Sequence, residues 1–265
     1  MNIVIKKHEK KGKLPELICI IFGILCMSAG CGSNEEDEQP EKIQDTVDTQ
    51  IQDSVVTESA KDTQIDFAAL GEENPDIFAW INIPGTQIDY PVLQSEQADD
   101  FYEFHNASGE EDDTGAIYIE LANLKSMCDF NTVLHGKTGE DGSGLFADLY
   151  QFANPDFFEE HEKLYVYLDG NMLTYEIFAA YERENTSLIR TYDFTYINGC
   201  QKFLDDLYGT REMSRNIREG WDDLTPYHFL ITLTTQKEEN ADKQFVVIAA
   251  LIDDAAGEID RVVTE

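Results

Sequence analysis

The sequence predicts a mainly β domain, closed into a barrel and carrying peripheral helices. Three observations predict it. Eight short runs of β-type residues recur from Trp80 onward, separated by turn signals such as Pro84-Gly85 and Asp169-Gly170-Asn171. Helical periodicity is confined to a few segments. Hydrophobic residues at 42% and aromatics at 11% supply a core, which excludes a wholly disordered chain of this length.

The amino terminus reads as an address. Lys6, Lys7, Lys10, Lys11 and Lys13 precede an uncharged apolar run of 14 residues, Leu17 to Gly30. A membrane-spanning helix needs about 20 apolar residues, so the run fits a secretory signal. It ends in Met27-Ser28-Ala29-Gly30-Cys31, which resembles the lipobox of bacterial lipoproteins, with Ser28 where an aliphatic residue is usual. Residues 1–30 are therefore expected to be a lipoprotein-type signal peptide, with Cys31 carrying the lipid. An uncleaved signal anchor is the alternative. Either places the rest of the chain outside the cytoplasmic membrane, anchored to its outer face.

Residues 31–65 are rich in Glu, Asp, Gln, Thr and Ser, and poor in large apolar residues. Such a segment cannot offset its ordering entropy and is expected to be a disordered acidic tether. A domain then spans residues 66–254, followed by a polar tail at 255–265, with fraying expected from Asp253. Phe67, Leu70, Ile77, Phe78 and Trp80 suggest a broken helical stripe restarted at Asn74-Pro75. The expected strands are Trp80–Ile83, Asp89–Leu93, Gly115–Glu120, Thr132–His135, Leu164–Leu168, Leu173–Tyr181, His228–Thr234 and Phe245–Ile252. Helices are expected over Gly144–Tyr150, Pro155–Glu160 and Phe194–Tyr208. The last gathers Ile197, Cys200, Phe203, Leu204 and Leu207 on one face.

Charge narrows the function. Nineteen Lys and Arg against 53 Asp and Glu give a net charge of −34. Phosphate recognition needs a basic face, so nucleic acid is excluded as a partner. Of five cysteines, only Cys128 and Cys200 fall in the domain, without CxxC or metal spacing. Two buried free thiols are expected. His161-Glu162 lacks the second histidine of a zinc-protease helix. Glu110-Glu111-Asp112-Asp113 lacks the spaced ligands of a calcium loop and reads as a solvated acidic loop. No metal or cofactor is expected.

Several strings, in order, resemble the class B sortase family. The first is Asn74-Pro75-Asp76-Ile77-Phe78-Ala79-Trp80-Ile81-Asn82-Ile83-Pro84-Gly85, continuing to Tyr90-Pro91-Val92. Phe101-Tyr102-Glu103-Phe104-His105-Asn106, Gly115-Ala116-Ile117-Tyr118-Ile119 and Asn131-Thr132-Val133-Leu134-His135-Gly136 follow. Tyr175-Glu176-Ile177-Phe178, Ile231-Thr232-Leu233-Thr234-Thr235 and Phe245-Val246-Val247 complete the set. The resemblance implies an eight-stranded sortase-type barrel with an N-terminal helical extension.

Sortases are cysteine transpeptidases of Gram-positive surfaces. Their chemistry needs a low-pKa thiolate, a histidine that exchanges a proton, and an arginine that donates hydrogen bonds to the developing oxyanion or to substrate backbone. By the resemblance, the histidine position holds Lys137, the cysteine position Gln236, and the arginine position, eight residues further on, Gln244. A glutamine amide cannot form a thioester. The sequence thus predicts an inactive sortase homologue that binds a peptide or surface protein, such as a sorting-signal substrate or an active sortase. Lys137, Gln236, Gln244 and His135 are the candidate peptide-binding residues. His135 shares a strand face with Lys137 by period-two alternation. Two alternatives stand: a divergent cysteine transpeptidase or peptidase with relocated residues, and a surface receptor or adhesion module on the same barrel.

Overall fold

A computed structural model describes residues 65–139, 141–210, 215–237 and 240–259. The signal segment, Cys31 and the acidic tether lie outside the described residues. No helix among the described residues is long and apolar enough to cross a membrane.

The chain enters through α1 (Phe67–Glu73), whose first turn is capped by the Asp66 carboxylate accepting from the Ala69 amide at 3.0 Å. The expected helical stripe does not continue beyond it. Asn74 is extended, its side-chain oxygen accepts from the Asp76 amide, and Pro75 cannot continue the helix. Ile77 and Phe78 therefore open strand β1 (Ile77–Asn82), in which Ile77, Ala79 and Ile81 are buried and alternate with half-buried neighbours. That period of two is the strand signal the helical reading overlooked.

Eight further strands follow: β2 (Asp89–Leu93), β3 (Ile117–Tyr118), β4 (Asn131–His135), β5 (Lys163–Leu168), β6 (Asn171–Glu184), β7 (Asn216–Ile217), β8 (Leu230–Thr235) and β9 (Lys243–Asp254). Their order is β5-β1-β2-β3-β4-β8-β9-β6, and β6 pairs back onto β5. The ring of eight is closed, so it leaves no open edge between first and last strand. The ninth strand, β7, flanks β6 at Ala179 and Ala180 and was not expected. The run expected over Gly115–Glu120 is reduced to β3. The expected helix at Gly144–Tyr150 is instead a 3-10 helix over Ala147–Ala153, because Gly144 sits at φ +106° and cannot open an α-helix. The Pro155–Glu160 helix, α2, has the expected bounds. A four-residue helix, α3 (Leu188–Thr191), precedes the long helix α4 (Ile197–Gly209).

Three apolar clusters follow from strand alternation. Ile81, Leu134, Leu233 and Val247 fill the barrel interior. On the outer face, Val133, Val246 and Ile248 pack beneath Cys200, Phe203, Leu204 and Leu207 of α4. Leu93 and Tyr118 pack with Tyr102 and with Leu70 of α1. Cys200 is buried and Cys128 half-buried, both free thiols, so the expectation of two buried thiols holds only for the first. The tail is ordered further than expected. Asp253 and Asp254 lie within β9, and the Asp254 carboxylate accepts from Asn171 Nδ2 at 2.8 Å and the Ile259 amide at 2.7 Å.

Candidate functional site

A cleft of about 490 Å³ opens where β4 and β8 end and β9 begins, on the side of the sheet away from the barrel interior. Alternation decides which side chains reach it. Leu134, Leu233 and Phe245 point into the barrel, so His135, Thr234 and Gln244 face out. His135 and Thr234 are register partners on adjacent strands. One wall comes from residues 99–103 and 116–120, and the opposite wall from the loop that leaves β6 and enters α3.

All four candidate residues, Lys137, Gln236, Gln244 and His135, line this cleft. Lys137 follows β4 in a loop closed by two glycines. A Cβ on Gly136 would meet the Phe146 ring at 2.6 Å, and one on Gly144 would meet the Lys137 carbonyl at 2.6 Å. That packing fixes the Lys137 backbone. Its ammonium donates to the Asp113 carbonyl at 3.1 Å and lies 4.3 Å from the centre of the Phe104 ring.

Gln236 is exposed at the end of β8, and its side-chain oxygen accepts from Asn185 Nδ2. Asn185 Nδ2 also donates to the Ala241 carbonyl at 2.9 Å, which joins the two walls of the β8–β9 turn to β6. Gln244 differs from both. It is only 7% exposed, and its amide is fully engaged. Thr234 Oγ1 donates to its oxygen at 2.6 Å, while its nitrogen donates to the carbonyls of Glu184 at 3.2 Å and Thr186 at 2.9 Å. Gln244 lines the cleft but acts there as a tie between β8, β9 and the α3 wall.

His135 stacks on Tyr118, with ring centres 5.1 Å apart, and its Nε2 lies 3.3 Å from Glu120 Oε1. The contact is close enough for an ion pair but not aligned as a hydrogen bond. The His135 side chain is the largest influence on Glu120, holding its carboxyl below the usual range against the opposing effect of burial. The hydroxyls at the cleft are also committed. Thr235 pairs with Thr138 at 2.8 Å, and Ser187 caps α3 through the Arg190 amide at 3.2 Å. Neither cysteine of the domain lines the cleft. Cys200 lies on the buried face of α4, with its thiol on the Phe194 carbonyl at 3.4 Å, and the Cys128 thiol contacts the Ser126 carbonyl at 3.4 Å.

The sequence did not single out the acidic wall. Asp99, Asp100, Glu103 and Glu120 share the cleft with the candidate residues. Gln94 holds this wall in place, donating from one buried amide to the carbonyls of Glu120 at 2.9 Å and Asn123 at 2.8 Å. Asp99 accepts from the Leu121 amide at 2.9 Å. Among the described residues no group of three or more His, Cys, Asp or Glu side chains is placed to hold a metal ion.

The chain is similar to known proteins over most of this domain. It is 29% identical over 184 residues to sortase B of Listeria monocytogenes, covering 68% of this chain and 71% of that protein. It is 25% identical over 239 residues to sortase B of Staphylococcus aureus, covering 89% and 93%. Among solved structures, a mutant form of Clostridium perfringens sortase B superposes with a TM-score of 0.62 at 28% identity, covering 71% of this chain and 86% of that one. The Staphylococcus aureus sortase B–substrate complex gives a TM-score of 0.61 at 27% identity, covering 71% and 84%. No protein-family model matches the chain.

Proposed function

We propose that this chain, which has the class B sortase fold, binds an extended peptide or surface-protein segment in its cleft without the chemistry of a sortase. The observation that carries the reading is the cleft lining itself. Lys137, Gln236 and Gln244 stand at the ends of β4, β8 and β9, and among the described residues no thiol accompanies them. By the family resemblance, we take these residues to stand at the positions of its histidine, cysteine and arginine. A thioester needs a thiolate nucleophile. Glutamine nitrogen is delocalised into its carbonyl, and the threonine and serine hydroxyls nearby are held in other hydrogen bonds. In a well-studied serine protease, loss of the nucleophile alone costs a factor on the order of a million in turnover.

Binding outlives that loss. The cleft keeps its walls, and Lys137 and Gln236 present polar groups to it. We place the domain outside the cell, held by a lipid on Cys31 through the 31–65 tether, where a sorting signal or an active sortase is the partner at hand. This placement rests on the basic residues, the short apolar run and the small residues before Cys31.

The test is a panel of fluorescent sorting-signal peptides presented to the full chain, with binding read by anisotropy and cleavage by chromatography. Binding without cleavage is expected, weakened about two- to tenfold in Lys137→Ala, the size of one hydrogen bond. Turnover abolished by Cys128→Ala or Cys200→Ala would identify a relocated nucleophile and overturn the reading. Fatty-acid labelling that survives Cys31→Ala would overturn the anchoring.

A further inference from the structure

Lys137 lines the cleft, but its ammonium is engaged outside it. The donor reaches the Asp113 carbonyl at 3.1 Å and lies 4.3 Å from the centre of the Phe104 ring. Phe104 and Asp113 lie outside the cleft lining. They sit at the base of a hairpin that leaves the 3-10 turn at Phe101–Glu103 and returns toward β3. The hairpin is closed on itself. The Asp112 amide donates to the Phe104 carbonyl at 2.9 Å, His105 bridges Glu111, and the Asn106 amide donates to the Glu110 carbonyl at 2.8 Å. Its return arm carries Glu110, Glu111 and Asp113, all exposed.

Two side chains from other parts of the fold reach this hairpin. Asn74 Nδ2 donates to the Ala107 carbonyl at 2.9 Å on one side, and Lys137 holds the base on the side of the cleft. The Lys137 backbone is fixed by the packing of Gly136 and Gly144, so only its stem can move. A charged donor strengthens the bond to the carbonyl, and the aromatic face adds to it. An ammonium drawn onto a ligand in the cleft leaves both partners, because both lie outside.

From this we infer that Lys137 is a latch between the cleft and the hairpin. Without peptide the ammonium pins the hairpin, and a peptide that takes the ammonium releases it. The acidic return arm then reports whether the cleft is filled. The inference rests on the peptide-binding reading above and adds a ligand-controlled surface to it. Such coupling is reciprocal. Whatever weakens the latch strengthens peptide binding through Lys137.

The test uses the full chain and two measurements. The first is anisotropy with the sorting-signal peptides. Phe104 is 53% exposed, so Phe104→Leu removes the aromatic face without opening the core. The variant is expected to bind peptide about two- to fivefold more tightly than wild type, the scale of one exposed cation–π contact. In a Lys137→Ala background the same substitution is expected to change nothing, which assigns the effect to the pair. The second is amide hydrogen exchange over the hairpin. The Asn106 and Asp112 amides are expected to exchange about two- to tenfold faster in Lys137→Ala without peptide, and in wild type with peptide bound. Unchanged exchange in Lys137→Ala overturns the latch, whether or not any peptide binds. Equal or weaker binding by Phe104→Leu, or tightening that survives in Lys137→Ala, overturns the coupling. Unchanged exchange in wild type with peptide bound also overturns the coupling, and leaves peptide binding standing. Failure of every peptide to bind overturns the peptide reading and the coupling together.

Discussion

Replacing Gln244 by methionine removes three hydrogen bonds while keeping side-chain length and volume, so the variant isolates the tie from the packing. The bond from Thr234 Oγ1, at 2.6 Å, is the most consequential. Thr234 is 5% exposed, and its hydroxyl loses its acceptor where water has little access. An unsatisfied buried hydroxyl costs about 1–3 kcal/mol. The carbonyls of Glu184 and Thr186 belong to exposed residues and can be rehydrated, so each adds about 0.5 kcal/mol. The expected loss is about 2–4 kcal/mol. Urea unfolding of the full chain, followed by the fluorescence of Trp80 and Trp221, measures it through the midpoint at constant slope. Gln236→Met is the control. Gln236 is exposed and accepts one bond from Asn185, so its loss is expected within about 0.5 kcal/mol. Equal stability of the two variants would refute the assignment of Gln244 as a tie.

Other consequences follow from the same geometry. Arg218 is 8% exposed and donates to the carbonyls of Ile177, at 3.0 Å, and Phe158, and to the Glu159 carboxylate at 3.1 Å. Arg218→Met strands the two carbonyls and is expected to cost about 2–4 kcal/mol in urea unfolding, whereas a change under about 0.5 kcal/mol would contradict the contact. The Glu120 carboxyl is held below its usual range in the folded state, chiefly by His135. Its stabilisation is therefore fully present above the unfolded value, about 4.3, and is lost as pH falls through the lower folded value. The stability gap between wild type and Glu120→Gln is expected to be constant at neutral pH and to narrow below about pH 4. A gap that widens on acidification would reverse the sign of the argument.

Strands were legible where alternation is long. Asp89–Leu93 and the Leu173–Tyr181 run read correctly, although pairing with β9 and β5 extends the latter to Asn171–Glu184. Short elements were not. Two residues of β7 and four of α3 carry no period, and their position is set by partners remote in sequence. Ile77, Phe78 and Trp80 satisfy helical and strand spacing equally. Only the Asn74-Pro75 stop and the burial of Ile77, Ala79 and Ile81 decide between them. Family resemblance led to Lys137, Gln236 and Gln244, but not to what they do. The partners of the Gln244 amide nitrogen lie 58 and 60 residues away in sequence, so its role as a tie emerges only on folding. The acidic wall escaped notice because Asp and Glu number 53 in the chain, and no single one stands out until Tyr118 is seen buried among four of them.

The central claim is that the cleft holds a peptide and forms no covalent bond to it. Intact-mass analysis of the full chain, incubated with the sorting-signal panel and hydroxylamine, tests this most directly. The account predicts an unmodified protein mass and intact peptides under conditions where anisotropy shows the peptide bound. An acyl adduct on Cys128 or Cys200, or a peptide released as its hydroxamate, would contradict it.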